Sequence, residues 1–295
     1  MGISELRGSI VAIVTPFQSN GEIDFEAFDR LIDFHLHEKT DGIVVCGTTG
    51  ETPTLTDAED AALIERAVKR VNGRIPVIAG TGSNSTQECV AYTQKAASLG
   101  VDAVLVVAPY YNKPTQEGMY LHFSTVAKAV DVPIILYNVP GRTGSNISVK
   151  LVLRLARDFK NIVGIKEAQG NLAVVTQLLA GRPNGFKVYS GDDFTSVSTN
   201  YLGSDGCISV IANVIPREFR QLMWDSMNGD IAKANAVFYK YFQLMDLMFI
   251  ESNPIPVKTA LAYKGMMQEV FRSPLCAMEA KNREALINEM KQLGV

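Results

Sequence analysis

The chain has 295 residues, of which 47% are apolar and 20% are charged, a balance that supports a large core and disfavours disorder. Its net charge of -3 and isoelectric point near 5.7 disfavour the clustered basic surface that nucleic-acid binding requires. No apolar run approaches the length of a membrane span, and residues 1–8 carry charges without an apolar core, so neither a membrane anchor nor a secretion signal is expected.

Short runs rich in β-branched residues recur along the chain and are predicted to be buried strands. They are residues 9–14, 42–46, 75–79, 102–108, 133–137, 161–166, 187–190 and 206–210. Amphipathic helical segments lie between them and begin after the capping residues Asp24, Thr56, Ser85 and Thr115. Strands alternating with helices in this number predict an α/β fold, a (β/α)₈ TIM barrel. An open doubly wound sheet shares the alternation, but its glycine fingerprint is missing.

The pattern changes after the helix that follows Ile215 and Pro216. Residues 230–250 form one long helical pattern, residues 253–258 are Asn-Pro-Ile-Pro-Val-Lys, and helical patterns then continue to Val295 without a strand. The sequence therefore predicts a barrel over residues 1–228 that carries the active site and a C-terminal helical region over residues 229–295 that packs on it.

Lys166 ends the sixth predicted strand, after the apolar run of residues 162–165. Burial disfavours the charged ammonium form, so a lysine in this place offers a nucleophilic amine near neutral pH. The structural alternative is a lysine that extends from the strand end into solvent. Because active sites of TIM barrels form at the carboxyl ends of the strands, a chemical role is favoured here.

Other predicted strands also end in residues that suit chemistry. Residues 47–51 are Gly-Thr-Thr-Gly-Glu, residues 109–112 are Pro-Tyr-Tyr-Asn, and residues 137–143 are Tyr-Asn-Val-Pro-Gly-Arg-Thr. Each has a structural alternative, namely a tight turn for the threonines and packing for the tyrosines. The pair Asp192 and Asp193 is predicted to cap the N-terminus of a helix.

The histidines and cysteines do not form a metal site in the sequence. All three histidines fall within predicted helices and none follows a strand, so a histidine-based metal site is not expected. No other cofactor is predicted. The four cysteines are scattered without a Cys-x-x-Cys pair, which predicts reduced core thiols of a cytosolic protein. Lysine remains as the group that activates a carbonyl substrate, through an iminium.

Four motifs, at residues 47–51, 137–143, 164–167 and 253–258, resemble in their order and spacing the family of 4-hydroxy-tetrahydrodipicolinate synthase, or dihydrodipicolinate synthase. This family belongs to the pyruvate-dependent Schiff-base aldolases. The resemblance runs from Gly8 through the C-terminal helices. It implies a metal-independent cytoplasmic lyase that condenses pyruvate with L-aspartate 4-semialdehyde in diaminopimelate and lysine biosynthesis.

The resemblance also implies catalytic residues. Lys166 resembles the lysine that forms the Schiff base with pyruvate, and Tyr137 resembles the general acid and base of the family. Thr48 and Tyr111 resemble the remainder of a proton relay, in which the tyrosine comes from the neighbouring subunit. The family pattern therefore implies a homo-oligomer, expected to be a tetramer built as a dimer of dimers.

Further residues match binding positions of the family. Thr49 resembles the residue that holds the carboxylate of pyruvate, and Gly191 and Ile208 match positions that line the pyruvate pocket. Arg142 matches the arginine that binds the carboxylate of the semialdehyde, a role that suits a permanently charged guanidinium.

Asn84, Glu88 and Tyr110 match positions that bind lysine in the family members that lysine inhibits. Asp57 and Asp60 stand where strongly inhibited enzymes often carry histidines. The structural alternative for both aspartates is favourable placement in the first turn of a helix. We therefore predict lysine inhibition that is weak or partial.

Two other functions remain as alternatives. N-acetylneuraminate lyase and 2-keto-3-deoxy sugar-acid aldolases share the barrel, the lysine and the tyrosine. They typically carry serine at the position of Thr48 and lack the Gly-Arg-Thr sequence of residues 141–143. A non-catalytic ligand-binding barrel is the alternative from another class, and it would form no covalent adduct with pyruvate.

Overall fold

The structure is a computed structural model that describes residues 3–295. Within these residues, eight parallel strands close into a barrel in which consecutive strands pair and the last strand returns to the first. The strands β1 to β8 are Gly8–Ala12, Gly42–Val45, Val77–Gly80, Ala103–Val107, Ile134–Asn138, Ile162–Glu167, Lys187–Ser190 and Gly206–Ser209. The closed barrel confirms the predicted fold class, and each predicted run overlaps one strand.

Helices cover the outside of the barrel and continue beyond it. The helices α1 to α12 are Phe25–His37, Asp57–Val71, Thr86–Ser98, Gln116–Ala129, Pro140–Thr143, Val149–Asp158, Leu172–Gly181, Ser196–Tyr201, Pro216–Met227, Ile231–Leu247, Ile255–Tyr263 and Ala280–Leu293. Short 3₁₀ turns occupy Ile3–Glu5, Thr48–Gly50, Thr52–Thr54 and Ile211–Asn213. No helix in the described part of the chain has the length and apolar character that crossing a membrane requires.

The predicted capping residues begin their helices as expected. The side chains of Asp24, Thr56, Ser85 and Thr115 each accept a hydrogen bond from a backbone N–H in the first turn of α1, α2, α3 and α4. Helix α2 has a full capping box, because the Glu59 carboxylate also accepts from the backbone N–H of Thr56. These bonds satisfy backbone N–H groups that have no partner within the helix. Residues able to accept such bonds therefore marked the helix starts in the sequence.

Side chains of each strand alternate between two apolar layers. One layer fills the inside of the barrel, and its buried members include Ile10, Val44, Ile78, Leu105, Ile135, Tyr137, Tyr189 and Ile208. The other lies between the strands and the surrounding helices, and includes Val11, Ile43, Val104, Leu136, Ile165 and Cys207. Lys166 follows Ile165, whose side chain lies in the outer layer, so the Lys166 side chain points towards the inside of the barrel.

The C-terminal helices add to the outer layer, in which Ala234, Leu244, Val257, Leu261 and Leu286 are all buried. Residues 264–279 form no helix, contrary to the expectation of helix continuing to Val295. Gly265 ends α11 with a left-handed φ of 70°. Pro274 also lacks the backbone N–H that a helix would require.

Candidate active site

Lys166 and Tyr137 lie side by side on neighbouring strands at the carboxyl end of the barrel. The two residues are direct partners in the pairing of β5 with β6. Lys166 is 6% exposed and Tyr137 is 7% exposed, and the lysine Nζ lies 4.4 Å from the centroid of the tyrosine ring. Lys166 is the second-last residue of β6 rather than the last, since the strand extends to Glu167. An amine and a phenol are thereby held together in one buried place.

Gly191, which follows β7, packs directly against Lys166. A Cβ at position 191 would lie 2.8 Å from Lys166 Cε and 2.6 Å from the Ala168 Cβ, so a larger residue would displace the lysine. The backbone N–H of Gly191 donates to the Glu167 carbonyl at 2.7 Å, which fixes this close approach. Ile208 on β8 is fully buried in the same inner layer as Tyr137. Gly191 thus borders the Lys166 side chain, and Ile208 belongs to the apolar layer that contains Tyr137.

The turn after β2 carries the two predicted threonines. Its 3₁₀ geometry begins at Thr48 and is held by Thr15, whose hydroxyl donates to the Gly50 carbonyl at 2.7 Å. Thr48 is half-buried, whereas Thr49 is buried and its Oγ1 accepts a hydrogen bond from Asn253 Nδ2 at 3.0 Å. The turn follows the carboxyl end of β2, so it lies at the barrel end where Lys166 and Tyr137 meet.

Glu51 ends this turn and is anchored from the C-terminal region. It has a left-handed φ of 58°, which is uncommon for a residue other than glycine. Its buried carboxylate forms an ion pair with Lys258 of α11 and accepts a hydrogen bond from the backbone N–H of Arg272. The Lys258 Nζ also lies 4.3 Å from the ring centroid of Phe17. The pair holds the threonine turn against the helical region.

Arg142 lies on the short helix α5, just after β5. Its side chain is exposed, and Nη2 donates to the Asn253 carbonyl at 3.2 Å. Asn253 thus contacts both predicted carboxylate-binding residues, Thr49 and Arg142. An exposed guanidinium with one tethered nitrogen retains donors for a bidentate contact with an anion.

Asn138 and Glu167 tie together the strand ends that carry Tyr137 and Lys166. The Asn138 Nδ2 donates to Glu167 Oε2 at 2.9 Å, and its Oδ1 accepts from the backbone N–H of Ile147 at 3.0 Å. Burial raises the pKa of Glu167, while the hydrogen bond from Asn138 opposes that shift. Sequence reasoning assigned neither residue a role, although each directly follows a residue that it did assign.

Tyr111 is the predicted catalytic residue that lies apart from the others. It is 88% exposed and has a left-handed φ of 67° in the loop between β4 and α4. Its backbone N–H donates to the Thr143 carbonyl at 3.3 Å, which joins this loop to the Arg142 loop. Within one chain, therefore, Tyr111 does not share the buried environment of Lys166 and Tyr137.

Of the three residues predicted to bind lysine, Asn84 and Tyr110 lie on connected loops, and Glu88 lies in the first turn of α3. The Asn84 carbonyl accepts from Asn112 Nδ2 at 2.9 Å, and Asn112 belongs to the loop that carries Tyr110. The Glu88 carboxylate accepts from the Ser83 hydroxyl at 2.8 Å. The structure therefore brings the two segments together by a hydrogen bond between their loops.

The prediction that Asp192 and Asp193 cap a helix is wrong. Helix α8 begins after Thr195 without a side-chain cap. The Asp192 carboxylate instead accepts from the backbone N–H and hydroxyl of Thr195, at 3.1 and 2.6 Å. Asp193 accepts from the backbone N–H groups of Val210 and Ile211, which β8 leaves unpaired where it ends. Burial raises the pKa of Asp193, and these backbone donors oppose that shift.

Comparison with known proteins identifies the family. Residues 5–293 match the model of the dihydrodipicolinate synthetase family. The chain belongs to this family. A 4-hydroxy-tetrahydrodipicolinate synthase from Thermodesulfovibrio yellowstonii is 52% identical over 289 residues, which cover 98% of this chain and 99% of that relative.

Solved structures of the dihydrodipicolinate synthetase family agree with the fold. The dihydrodipicolinate synthase from Aquifex aeolicus superposes with a TM-score of 0.96 at 48% identity and 98% coverage of both chains. A dihydrodipicolinate synthase from Acinetobacter baumannii complexed with pyruvate has a TM-score of 0.96 at 44% identity, covering 98% of this chain and 99% of that one.

In this member of the dihydrodipicolinate synthetase family, several residues that support the site had either no assigned role in the sequence or, in the case of Asp193, a different one. They are Glu51, Asn138, Glu167, Asp193, Asn253 and Lys258. The sequence contained a signal for two of them, because Asn253 and Lys258 are the first and last residues of the proline-containing motif, which lies in a region without predicted strands. The motif did not reveal which strand-end residues they contact, since those partners lie about 200 positions earlier in the chain.

Proposed function

We propose that the protein is a lyase that condenses pyruvate with L-aspartate 4-semialdehyde to give 4-hydroxy-tetrahydrodipicolinate. This product serves diaminopimelate and lysine biosynthesis. The observation that carries the proposal is the buried amine of Lys166, held 4.4 Å from the ring of Tyr137. The match of nearly the whole chain to relatives named for this activity supports it.

The first half of the reaction uses pyruvate alone. The Lys166 amine attacks the C2 carbonyl carbon, and the oxygen leaves as water to give an iminium. This cation draws electrons from the methyl group, so loss of a methyl proton gives an enamine. Tyr137 lies beside the amine, where its phenol is placed to give and take the protons of these steps.

The second half forms the carbon–carbon bond. The enamine carbon attacks the aldehyde carbon of the semialdehyde, whose oxygen takes up a proton, and the iminium forms again. The amino group of the semialdehyde-derived part then attacks C2, the ring closes, and the Lys166 amine departs. We propose that Thr49 holds the carboxylate of pyruvate, that Gly191 and Ile208 bound its pocket, and that Arg142 binds the other carboxylate.

A homo-oligomer completes the proposed proton relay. We place Tyr111 of a neighbouring subunit beside Thr48, which supports the exchange of protons with solvent. The exposure of Tyr111 and its left-handed backbone support this role, because uncommon backbone conformations cluster at functional positions. An exposed apolar surface contains Phe194 and Phe242, whose ring centroids lie 6.5 Å apart, and it supports the proposed dimer of dimers by offering another contact between subunits.

Mixing two inactive variants tests the shared site. Subunits with Tyr111→Phe and subunits with Lys166→Ala should regain activity when mixed, since one site of a hybrid dimer then receives both native residues. Subunit exchange is verified by native mass spectrometry. Exchange without any recovery of activity would place the relay within a single chain.

The reaction itself is tested by a coupled assay with the reductase that consumes the product. Turnover should require pyruvate and aspartate semialdehyde, and borohydride added with pyruvate should leave an adduct on Lys166. Cleavage of sialic acid or of 2-keto-3-deoxy sugar acids without synthase turnover would favour the related aldolases. Pyruvate binding without an adduct would favour a binding protein.

We also propose weak or partial inhibition by lysine through Asn84, Glu88 and Tyr110. The hydrogen bond between the loops of Asn84 and Tyr110, and the bond from the Ser83 hydroxyl to Glu88, support a common site. Titration of L-lysine at saturating pyruvate tests it, and complete inhibition at micromolar lysine would contradict it.

The remaining proposals concern organisation and location. Residues 1–228 form the catalytic barrel, and residues 229–295 brace it, a division that the contacts of Lys258 with Glu51 and of Asn253 with Thr49 support. A cytoplasmic location suits the free thiols of Cys46, Cys89, Cys207 and Cys276.

A further inference from the structure

Asn253 has no role in the reaction described above, yet it reaches the barrel from the C-terminal region. It is buried and lies just before Pro254, the N-cap residue of α11. Two side chains of the segment 253–258 contact the turn after β2, Asn253 at Thr49 and Lys258 at Glu51. The segment therefore holds the threonine turn at two positions that are two residues apart.

The hydrogen bond between Asn253 and Thr49 has a fixed polarity. The Asn253 Nδ2 can only donate, so the Thr49 hydroxyl is the acceptor of this bond, with 3.0 Å between the nitrogen and Oγ1. A hydroxyl that accepts here keeps its own hydrogen for another acceptor. Thr49 is buried, so bulk water is not that acceptor. A carboxylate, which can only accept, is the complementary partner.

The backbone of Asn253 serves a different residue. Its carbonyl oxygen accepts from Arg142 Nη2 at 3.2 Å. The side-chain Oδ1 is buried and accepts no hydrogen bond from residues 3–295, so the bond to Thr49 sets the orientation of the amide. Side chain and backbone of one residue thus contact the two groups proposed to bind the two substrate carboxylates.

We infer that Asn253 is a positioning residue for pyruvate, because its amide directs the hydrogen of the Thr49 hydroxyl towards the pyruvate carboxylate. The inference rests on the proposed function, in which Thr49 holds that carboxylate. Substitutions of the Asn253 side chain retain its backbone carbonyl and hence the contact with Arg142. The two substrates should therefore respond differently to them.

Steady-state kinetics with both substrates tests the inference. Asn253→Ala removes the donor, so the KM for pyruvate should rise about tenfold, while the KM for the semialdehyde changes less than about twofold. Asn253→Asp keeps the shape of the side chain, but its carboxylate takes the Thr49 hydrogen and repels pyruvate, so the KM for pyruvate should rise further. A purely structural role predicts the opposite order, since aspartate preserves packing better than alanine does.

Asn282 offers a matched control, because its Nδ2 donates to Glu251 within the C-terminal region at 2.8 Å. Asn282→Ala should leave both KM values unchanged, and thermal unfolding of every variant monitors folding. Should Asn253→Ala fail to fold, the isosteric Asn253→Asp variant still gives the comparison. Equal increases in both KM values, or none in either, would overturn the inference.

A double-mutant cycle with Thr49→Val isolates the hydroxyl. If Asn253 acts through that group, Asn253→Ala should raise the KM for pyruvate by less than about twofold in the Thr49→Val background. Independent, multiplying effects would overturn the inference while leaving the function intact. If the native protein forms neither adduct nor product, the proposed function fails and the inference fails with it.

Discussion

Two buried lysines serve the two halves of this molecule in different ways. Lys258, in the C-terminal region, is fully buried, paired with Glu51 and packed 4.3 Å from the ring centroid of Phe17. Lys166, in the barrel, is almost as buried, but it takes part in no ion pair within residues 3–295. It lies instead over the ring of Tyr137.

The difference shows that burial alone does not identify a nucleophile. Burial lowers the pKa of Lys258 to about 8, and the Glu51 carboxylate opposes that shift. The amine of Lys258 is committed to its carboxylate partner, whereas the amine of Lys166 faces a phenol and the small Gly191. One lysine therefore joins the two regions through an ion pair, and the other is free for the proposed attack on a substrate carbonyl.

Removing Lys166 should have the largest effect on activity while leaving the protein stable. Lys166→Ala should reduce kcat on the order of 10⁴-fold or more, because no other amine takes its place. The free energy of unfolding should stay the same or rise, since a buried cation is removed. Lys166→Arg should also be inactive, because a guanidinium remains protonated. A pyruvate adduct found by mass spectrometry in Lys166→Ala would contradict the assignment.

Removing Lys258 should have the reverse pattern, with a large loss of stability. Lys258→Met leaves the Glu51 carboxylate buried without its cation, which should cost about 3–5 kcal/mol in the free energy of unfolding. Urea denaturation followed by circular dichroism measures it. The additional change Glu51→Gln should recover part of the loss, because it removes the unpaired charge.

Arg283 provides the control for this comparison, since its ion pair with Glu269 is partly exposed rather than buried. Arg283→Ala should cost less than about 1 kcal/mol. If Lys258→Met were no less stable than this control, Lys258 would not brace the threonine turn.

Sequence predicted the barrel and its catalytic end because both depend on local patterns. Each strand is a short apolar run, and the first four long helices begin at residues whose side chains satisfy backbone donors. Lys166 is predicted to be catalytic because it ends an apolar predicted strand at the barrel end where active sites form. The roles of Thr49, Arg142 and Tyr111 came from family resemblance, since their residue types alone also fit turns and surface positions.

The supporting contacts were not predictable in this way. Asn253 and Thr49 are 204 positions apart, and Lys258 and Glu51 are 207 apart, so no periodicity connects them. Asp193 followed a strand and preceded a helix, which made a capping role the simplest interpretation. Its actual partners, at the end of β8, become visible only once the barrel closes.

Removing Arg142 should mainly weaken substrate binding, with less effect on kcat than the loss of Lys166 and less effect on stability than the loss of Lys258. Arg142→Ala should raise the KM for aspartate semialdehyde about ten- to hundredfold, which corresponds to the loss of a charge-assisted hydrogen bond worth about 1.5–3 kcal/mol. The KM for pyruvate should change far less. Arg142→Lys should give a KM for aspartate semialdehyde between those of the wild type and Arg142→Ala, because lysine keeps the charge but loses the bidentate geometry. Equal effects on both substrates would count against the role.

Asp60 is an acidic group that can be compared with the two lysines, a half-buried carboxyl group without a cationic partner among the described contacts. Burial raises its pKa to about 6, and the nearby carboxylates of Asp57 and Glu59 add to the shift. Its Oδ1 is buried and accepts no hydrogen bond from residues 3–295. Ionisation of Asp60 therefore costs free energy in the folded state, and Asp60→Asn should stabilise the protein wherever the native carboxyl is charged.

The sign follows from proton binding. Because the pKa is higher in the folded protein than the usual value of 3.8, the folded state holds this proton more tightly, and that stabilisation is lost as pH rises through about 6. The shift limits the gain from Asp60→Asn at about pH 7.5 to about 3 kcal/mol. We expect about 1 kcal/mol, because asparagine also loses the favourable interaction with the N-terminus of α2. Thermal unfolding should show the gain disappearing at about pH 5, where the folded wild-type carboxyl is mostly protonated and the cost of ionising it has fallen by about 1.4 kcal/mol. The exposed Asp57→Asn change should give no comparable gain, and an equal gain from Asp60→Asn at both pH values would show that burial of this charge is not its cause.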